Sequence, residues 1–475
     1  MISKKVDTQV VIIGSGPSGY SAAFRCSDLG LNVVLIEQYY SLGGVCLNVG
    51  CIPSKYLLHI AKVIKDVKKL SRIGISFEKL DINLKEIQCN QKKIIESFSS
   101  GISNLARKRN VRIIFGYAKF LDANSIFVQG EHDSYVVSFN KIVIATGSLS
   151  KKLSYIPYDD IRIWNSSFAV SIPSIPKKLL IIGGGIIGLE MATIYSALGS
   201  NVDIIDNSHD ILPHLDRDVI DIFKRSVNHD YNIFFNSNVI KIVQEKNGLL
   251  VHIAENDNKN KRFELYDIIL VAIGRVPNTD MLDISKVGLK TDNNGFIKVN
   301  EQFCTNIPNI YAIGDVIGQP MLAHKGTHEG HIVAEVISGK KHYFNPFVIP
   351  CVSYTEPEIA WVGITENEAR KNNINYEVSS VLWNTLGRAV SSQCSEGVTK
   401  LIFDKKTNKI IGGCIVGSNA GELLGEISLA IEMGCDAEDL ALTIHAHPTL
   451  YESINLSAQI FQGTITDLIN KKIKK

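Results

Sequence analysis

The sequence predicts an α/β fold with two Rossmann-like dinucleotide-binding domains plus a C-terminal α+β domain, and three observations carry that prediction. Two segments share one pattern of apolar strand, glycine turn, small-residue helix, second strand and terminal acid, with 23 positions from the first glycine to the acid in each. This is the βαβ dinucleotide fingerprint. After Asn345-Pro346 the glycine turns stop, and short strands alternate with helices. The 475 residues also suffice for about three domains.

In chain order, Val10 to Ile13 form a buried strand that runs into Gly14-x-Gly16-x-x-Gly19. A helix bearing Ala22, Ala23 and Cys26 follows, closed by Gly30, and a second strand ends at Glu37. Leu57, Ala61, Ile64 and Lys68 mark one face of a helix, and Ile94, Phe98, Ile102 and Leu105 mark a face of the next. The pattern then repeats: Leu179 to Ile182, Gly183-x-Gly185-x-x-Gly188, a helix to Leu198 closed by Gly199, and a strand ending at Asp206. Asn256 to Arg262 is polar between alternating flanks, which predicts a long hairpin tip. Beyond residue 345, strands are expected at Val398 to Phe403 and Ile410 to Val416, and a helix at Leu423 to Met433.

Composition removes several function classes. At 45% hydrophobic and 21% charged, the chain is an ordinary globular protein. A net charge of +2 supplies no field for nucleic acid or an anionic membrane. No apolar run approaches the ~20 residues of a membrane span. The N-terminus mimics a signal peptide, but its apolar run ends in a glycine-rich turn without a cleavage site, so a cytoplasmic protein is expected. Nine irregularly spaced cysteines do not form a secreted framework. No His, Cys and carboxylate set has metal-ligand spacing, so no metal is expected.

The chemistry concentrates in a few segments. The fingerprint glycines let a pyrophosphate approach the backbone at a helix N-terminus. Glu37 and Asp206 would accept from ribose hydroxyls. Asp206 is followed by Asn207 and Ser208 rather than by Arg, which favours NAD over NADP at the second site. Cys46 and Cys51 lie five apart, near the first expected nucleotide. A regular helix would put five residues at ~7.5 Å, too far for a disulfide. If the two pair, a distorted turn around Asn48 to Gly50 is required. His447 precedes Pro448 and has Glu452 five residues on, a spacing suited to a base with an orienting carboxylate. His445 is a rival base two residues away.

The stretch Gly43-Gly44-Val45-Cys46-Leu47-Asn48-Val49-Gly50-Cys51-Ile52-Pro53-Ser54-Lys55 resembles the redox-disulfide motif of the pyridine nucleotide:disulfide oxidoreductases. Ala145-Thr146-Gly147-Ser148, Ala272 to Asn278 (AIGRVPN) and Thr305 to Asp315 are similar to other segments of that family. PMLAHKGTHEG at 320–330 and HAHPTLYES at 445–453 point to the branch that oxidises dihydrolipoyl groups. The resemblance implies FAD bound by residues 1–150 and 276–345, NAD by 151–275, and dimerisation through 346–475. For FAD it implies Gly14, Gly16, Gly19, Glu37 and Gly44, then Lys55, Ala118, Thr146 and Gly147, with Asp315 on the ribityl chain and Ala323 nearby. For NAD it implies Gly183, Gly185, Gly188 and Asp206, together with Val239, Ala272 and Gly274. Asp206 stands where Glu is more usual, and Ala118 where Gly is frequent.

The resemblance further implies a Cys46–Cys51 disulfide with Cys46 as the interchange sulfur. It implies His447 as base, Glu452 as its orienter, and a Lys55–Glu190 ion pair beside the flavin. In the family, one subunit's C-terminal domain completes the other's active site, so an obligate homodimer is expected. The implied partners are the lipoyl domain and acyltransferase core of 2-oxo acid dehydrogenase complexes. Glutathione-type reductases use NADPH, which the residues after Asp206 disfavour. A non-catalytic flavin-bearing structural subunit would need neither the cysteine pair nor His447, and a plain nucleotide-binding module would have no use for paired cysteines.

Overall fold

A computed structural model describes residues 3–76, 80–256 and 261–469. The first sheet has seven strands. At its centre Lys4–Ile13 pairs in parallel with Val33–Glu37 on one side and Ser134–Ile144 on the other, with Ile13 opposite both Ile36 and Ile144. Ile310–Ala312 joins the same sheet from far along the chain, beside Ser134–Ile144. The strand Val33–Glu37 is buried at all five positions, as expected of a parallel strand covered on both faces.

A second, five-stranded parallel sheet repeats the arrangement. Lys178–Ile182 pairs with Asn201–Ile205 and with Ile268–Val271, so that Ile182 lies opposite Ile205 and Val271. An antiparallel meander, Ser237–Glu245, Gly248–Glu255 and Lys261–Tyr266, follows it. The expected hairpin is therefore present up to Ala254 opposite Lys261, while its tip at 257–260 lies outside the described residues. The two sheet units are joined by a short ribbon, Ser148–Ser150 against Arg275–Pro277. Here Thr146 Oγ1 donates to the Asn278 carbonyl at 2.6 Å and Asn278 Nδ2 donates back to the Thr146 carbonyl at 3.2 Å.

The C-terminal part is a five-stranded antiparallel sheet with the helices Ala420–Met433 and Glu452–Gln462 packed on it. It is tied to the second sheet unit by a buried charge. Lys400, 1% exposed on the strand Val398–Asp404, reaches Asp218 at 2.9 Å, Asp216 at 3.0 Å and Glu366. Asp216 also accepts from the backbone N–H groups of Glu366 and Asn367, and so caps a helix that belongs to the other unit. The three carboxylates converge on an ammonium that the chain itself supplies.

The helix Leu84–Lys108 departs from expectation in how it packs. Its apolar face stays partly in solvent, with Phe98 55% and Leu105 44% exposed, while Gln91 and Ala106 are buried. Periodicity located the helix, but Gln91 is drawn inward by donating to the carbonyls of Pro53 and Val170. No helix among the described residues is long and apolar enough to cross a membrane.

Candidate active site

The site is built around a break between two helices. Gly44–Val49 and Cys51–Leu70 are interrupted at Gly50, whose φ of −139° and ψ of −112° leave the helical region. A Cβ on Gly50 would stand 2.9 Å from the Val45 carbonyl oxygen, so the break leaves no room for a side chain. Asn48 braces the turn by donating to the carbonyls of Gly44 at 2.9 Å and Leu42 at 3.2 Å. The distorted turn that pairing demands is therefore present. Cys46 and Cys51 are half-buried free thiols here, and they hydrogen-bond to each other. That bond pushes Cys46 well above the usual thiol range. It lowers Cys51 to about 7, helped against burial by the Lys55 ammonium. A thiol of that kind is a thiolate near neutrality.

Lys55 lies one helical turn beyond Cys51 and donates to both oxygens of Glu190 at 3.0 Å. Burial opposes its charge, yet Glu190 holds the ammonium above its ordinary range. Glu190 is 4% exposed, on the helix Ile186–Ala197 of the second sheet unit. Packing of that helix on Cys51–Leu70 brings the two residues together from distant parts of the sequence.

The two fingerprints are near copies in space. Gly14 has φ +100° and Gly183 φ +109°, and a Cβ on either would meet the carbonyl oxygen of Ala145 or Ala272 at 2.3 and 2.4 Å. A Cβ on Gly19 or Gly188 would meet the carbonyl oxygen of its own first glycine at 1.8 and 2.0 Å. Gly16 and Gly185, in contrast, face open space. Each of these open glycines is the N-cap of its helix, with no side chain capping the free N–H groups. A cradle with open amides at a helix start fits a pyrophosphate. Gly44, at φ +61°, is pressed so that its Cβ would lie 2.6 Å from the Gly16 Cα, placing the cysteine turn directly against the first cradle.

The two acids are fixed by their own turns. Glu37 accepts from Ser15 N at 3.0 Å, Ser15 Oγ at 2.6 Å and Tyr39 N at 3.0 Å. Asp206 accepts from Gly184 N at 2.6 Å and Ser208 N at 2.7 Å. Glu37 Oε2 takes both Ser15 bonds, but Glu37 Oε1 and both Asp206 oxygens accept one bond each and keep a second lone pair, which a ribose hydroxyl can use. Asp315 accepts from Ser148 Oγ at 2.6 Å, and Ser148 Oγ in turn accepts from Arg275 Nε at 2.7 Å. Ala323 opens the fifteen-residue helix Ala323–Ile337, again without a side-chain cap. Gly147 has φ +70° and Gly274 φ +110°, both facing open space beside the ribbon that Thr146 helps to pin. Ala118 and Val239 have their side chains in the cores beneath the first and second units, at 5% and 4% exposure, so only their main chains could meet a nucleotide.

The C-terminal histidines separate clearly. His447 Nδ1 lies 2.9 Å from Glu452 Oε1, and Glu452 Oε2 accepts from Thr449 N at 2.6 Å. A carboxylate only accepts, so Nδ1 carries the proton and Nε2 keeps its lone pair. His447 is 77% exposed. His445 is 3% exposed and has both nitrogens engaged, with the Thr443 carbonyl and with Glu426, each at 2.8 Å. Among the described residues, no hydrogen bond or ion pair joins His447 to either cysteine.

Sequence reasoning missed Tyr354. Its ring lies under the Lys55 ammonium, 4.5 Å from the centroid, and its backbone N–H donates to Glu190 Oε1 at 3.1 Å. It also gave no role to Arg275, which was visible only as part of a motif. Neither has a local signal, because each meets its partners across the fold.

Comparison with known proteins agrees with this geometry. The profile of the family described as pyridine nucleotide-disulphide oxidoreductase matches residues 8–330, and that of its dimerisation domain matches residues 349–458. The chain is 60% identical over 474 residues to the dihydrolipoyl dehydrogenase of Buchnera aphidicola subsp. Acyrthosiphon pisum, covering 100% of both chains. It is 53% identical over 474 residues to that of Vibrio cholerae, again covering 100% of both. Among solved structures, the Cu(II) complex of the HOCl-induced flavoprotein disulfide reductase RclA from Escherichia coli superposes with a TM-score of 0.86 at 26% identity, over 97% of this chain and 100% of that one. The chain belongs to the pyridine nucleotide-disulphide oxidoreductase family.

Proposed function

We propose that the chain oxidises dihydrolipoyl groups with NAD⁺ through FAD and a redox-active Cys46–Cys51 pair. The observation that carries this reading is the broken helix at Gly50, which sets two thiols side by side against a dinucleotide cradle, with Lys55 and Glu190 beside them. Its identity with named dihydrolipoyl dehydrogenases along its whole length supports the substrate.

The cradle at Gly14, Gly16 and Gly19, with Glu37, Gly44, Asp315 and Ala323, would hold FAD. Gly183, Gly185, Gly188 and Asp206 would hold NAD. In domain terms, 1–150 and 276–345 take the flavin, 151–275 the nicotinamide coenzyme, and 346–475 the second subunit. Bound FAD would relay an electron pair from the reduced dithiol to NAD⁺.

The protein's own residues do the thiol chemistry. With the Cys46–Cys51 bond closed, His447 of the partner subunit takes the proton of one substrate thiol at Nε2, and Glu452 stabilises the resulting imidazolium. The substrate thiolate attacks Cys46, the Cys46–Cys51 bond breaks, and Cys51 departs as a thiolate held by Lys55. The second substrate sulfur then attacks its partner sulfur in the mixed disulfide, its proton passing to the departing Cys46 sulfur, which gives a cyclic disulfide product and a reduced pair with Cys46 as thiol and Cys51 as thiolate. The exposed Ile444 at 97%, Leu442 at 73%, Met433 at 72% and Leu429 at 63% fit a surface buried in a dimer. A cytoplasmic location and service to the acyltransferase core of a 2-oxo acid dehydrogenase complex complete the reading.

Anaerobic mixing of the yellow holoprotein with dihydrolipoamide tests it. A long-wavelength absorbance from a thiolate against the flavin, followed by NADH formation on adding NAD⁺ and little reaction with NADP⁺, is expected. Yellow protein that forms neither would leave a flavin-bearing subunit without turnover.

A further inference from the structure

Lys55 is held from two sides, and only one of them belongs to the nucleotide units. Glu190 supplies the carboxylate. The other side is Tyr354, which follows the short strand Cys351–Ser353 in the C-terminal part and lies 299 positions from Lys55. The tyrosine makes two separate contacts. Its ring faces the ammonium at 4.5 Å, and its main-chain N–H fixes the Glu190 oxygen that Lys55 also uses.

We propose that Tyr354 is a positioning residue for the redox pair: its ring seats the Lys55 ammonium and its N–H orients Glu190, so that the cation stays directed at Cys51. The proposal deepens the functional reading above and rests on its assignment of Cys51 as the thiolate. Lys55 is 35% exposed, so its field at Cys51 depends on what keeps water off the ammonium. Removing the ring admits water, raises the local dielectric and weakens the pull on the thiolate. The charged and titratable groups that act on the pair are Cys46, Glu190, Arg275 and Tyr20 at Cys51, with Glu358 and Glu422 acting on the Tyr354 phenol. None of them replaces an aromatic face.

The test compares Tyr354→Phe with Tyr354→Leu in the reduced holoprotein. The pH midpoint of Cys51 ionisation is read from the long-wavelength absorbance. It is read independently from iodoacetamide labelling resolved to Cys51 by mass spectrometry. Labelling needs neither lipoyl turnover nor a flavin signal, so failure of the functional reading leaves this test standing. Tyr354→Leu is expected to raise the midpoint by about 0.5 unit, roughly twofold less thiolate at neutral pH. Tyr354→Phe keeps the ring and is expected to match the native protein. In a Lys55→Met background, Tyr354→Leu is expected to add nothing, because the ring acts through Lys55. A native midpoint in Tyr354→Leu overturns the proposal. So does a shift in Tyr354→Phe equal to that in Tyr354→Leu, or an undiminished effect in the Lys55→Met background. If Tyr354→Leu melts early, Tyr354→Met takes its place under the same criteria.

Discussion

His447 donates through Nδ1 to Glu452 at 2.9 Å, and this single bond decides which of two neighbouring histidines can act as a base. It leaves Nε2 of an exposed ring free to receive a proton. His445 has no free nitrogen. His447→Gln is therefore expected to lower dihydrolipoamide oxidation on the order of 10²-fold or more without loss of flavin. Glu452→Gln is expected to cost less, on the order of tenfold, because the amide oxygen still accepts from Nδ1 but brings no charge to stabilise the imidazolium. Steady-state NADH formation checks both, and an undiminished rate in His447→Gln would move the base elsewhere.

His445 has a different consequence, in stability. Both its contacts accept protons, so the ring is held doubly protonated. Burial works against that charge, but Glu426 and the Thr443 carbonyl outweigh it and raise the pKa above 6.5. A group whose pKa rises on folding stabilises fully below its unfolded pKa and ceases to do so as pH climbs through the folded one. His445→Gln should thus cost about 2 kcal/mol near pH 6 and clearly less near pH 9. Melting curves at the two pH values check this, and an equal loss at both would contradict a charged ring.

The cysteines make a paired prediction. Cys46→Ser and Cys51→Ser should each abolish lipoyl turnover while the flavin stays bound. In the reduced native protein, Cys51 should be a thiolate above a pH of about 7 and protonated below it. Its absorbance against the flavin should therefore fade on acidification through neutrality. A midpoint near the ordinary thiol value of about 8.5 would mean that neither Cys46 nor Lys55 acts on it.

Subunit sharing can be tested by mixing. Alone, the Cys46→Ser protein should be inactive and the His447→Gln protein should keep on the order of 1% of native turnover or less. Co-refolded, they should recover about a quarter of native turnover, since half of randomly paired dimers are mixed and one of the two sites in each is intact. No recovery would place His447 and the cysteines in the same subunit's site.

The twin cradles predict twin phenotypes. A Cβ at Gly188 would sit 2.0 Å from the Gly183 carbonyl oxygen, so Gly188→Ala must push its helix off the strand. The KM for NAD⁺ should rise about tenfold or more, with flavin content unchanged. Gly19→Ala, with 1.8 Å to Gly14, should instead lose flavin. Absorbance spectra and NAD⁺ titrations separate the two outcomes.

Much of this was legible in the sequence because it is local. The glycine turns declare themselves by spacing, and the break at Gly50 follows from asking two cysteines five residues apart to meet. Choosing His447 over His445 needed a family resemblance, because sequence cannot show which ring has both nitrogens occupied. Tyr354 and Arg275 were unreadable as functional residues, since their partners lie in other parts of the fold. The helix Leu84–Lys108 shows the limit of periodicity: it locates a helix but does not say which side is covered, and hydrogen bonds turned Gln91 inward.

Lys400 carries a last implication. A buried ammonium on the C-terminal sheet, gripped by Asp216 and Asp218 from the coenzyme-binding half, cannot be left behind when either half opens. Calorimetry on heating should therefore trace one endotherm for both regions together, and Lys400→Met should split it into two.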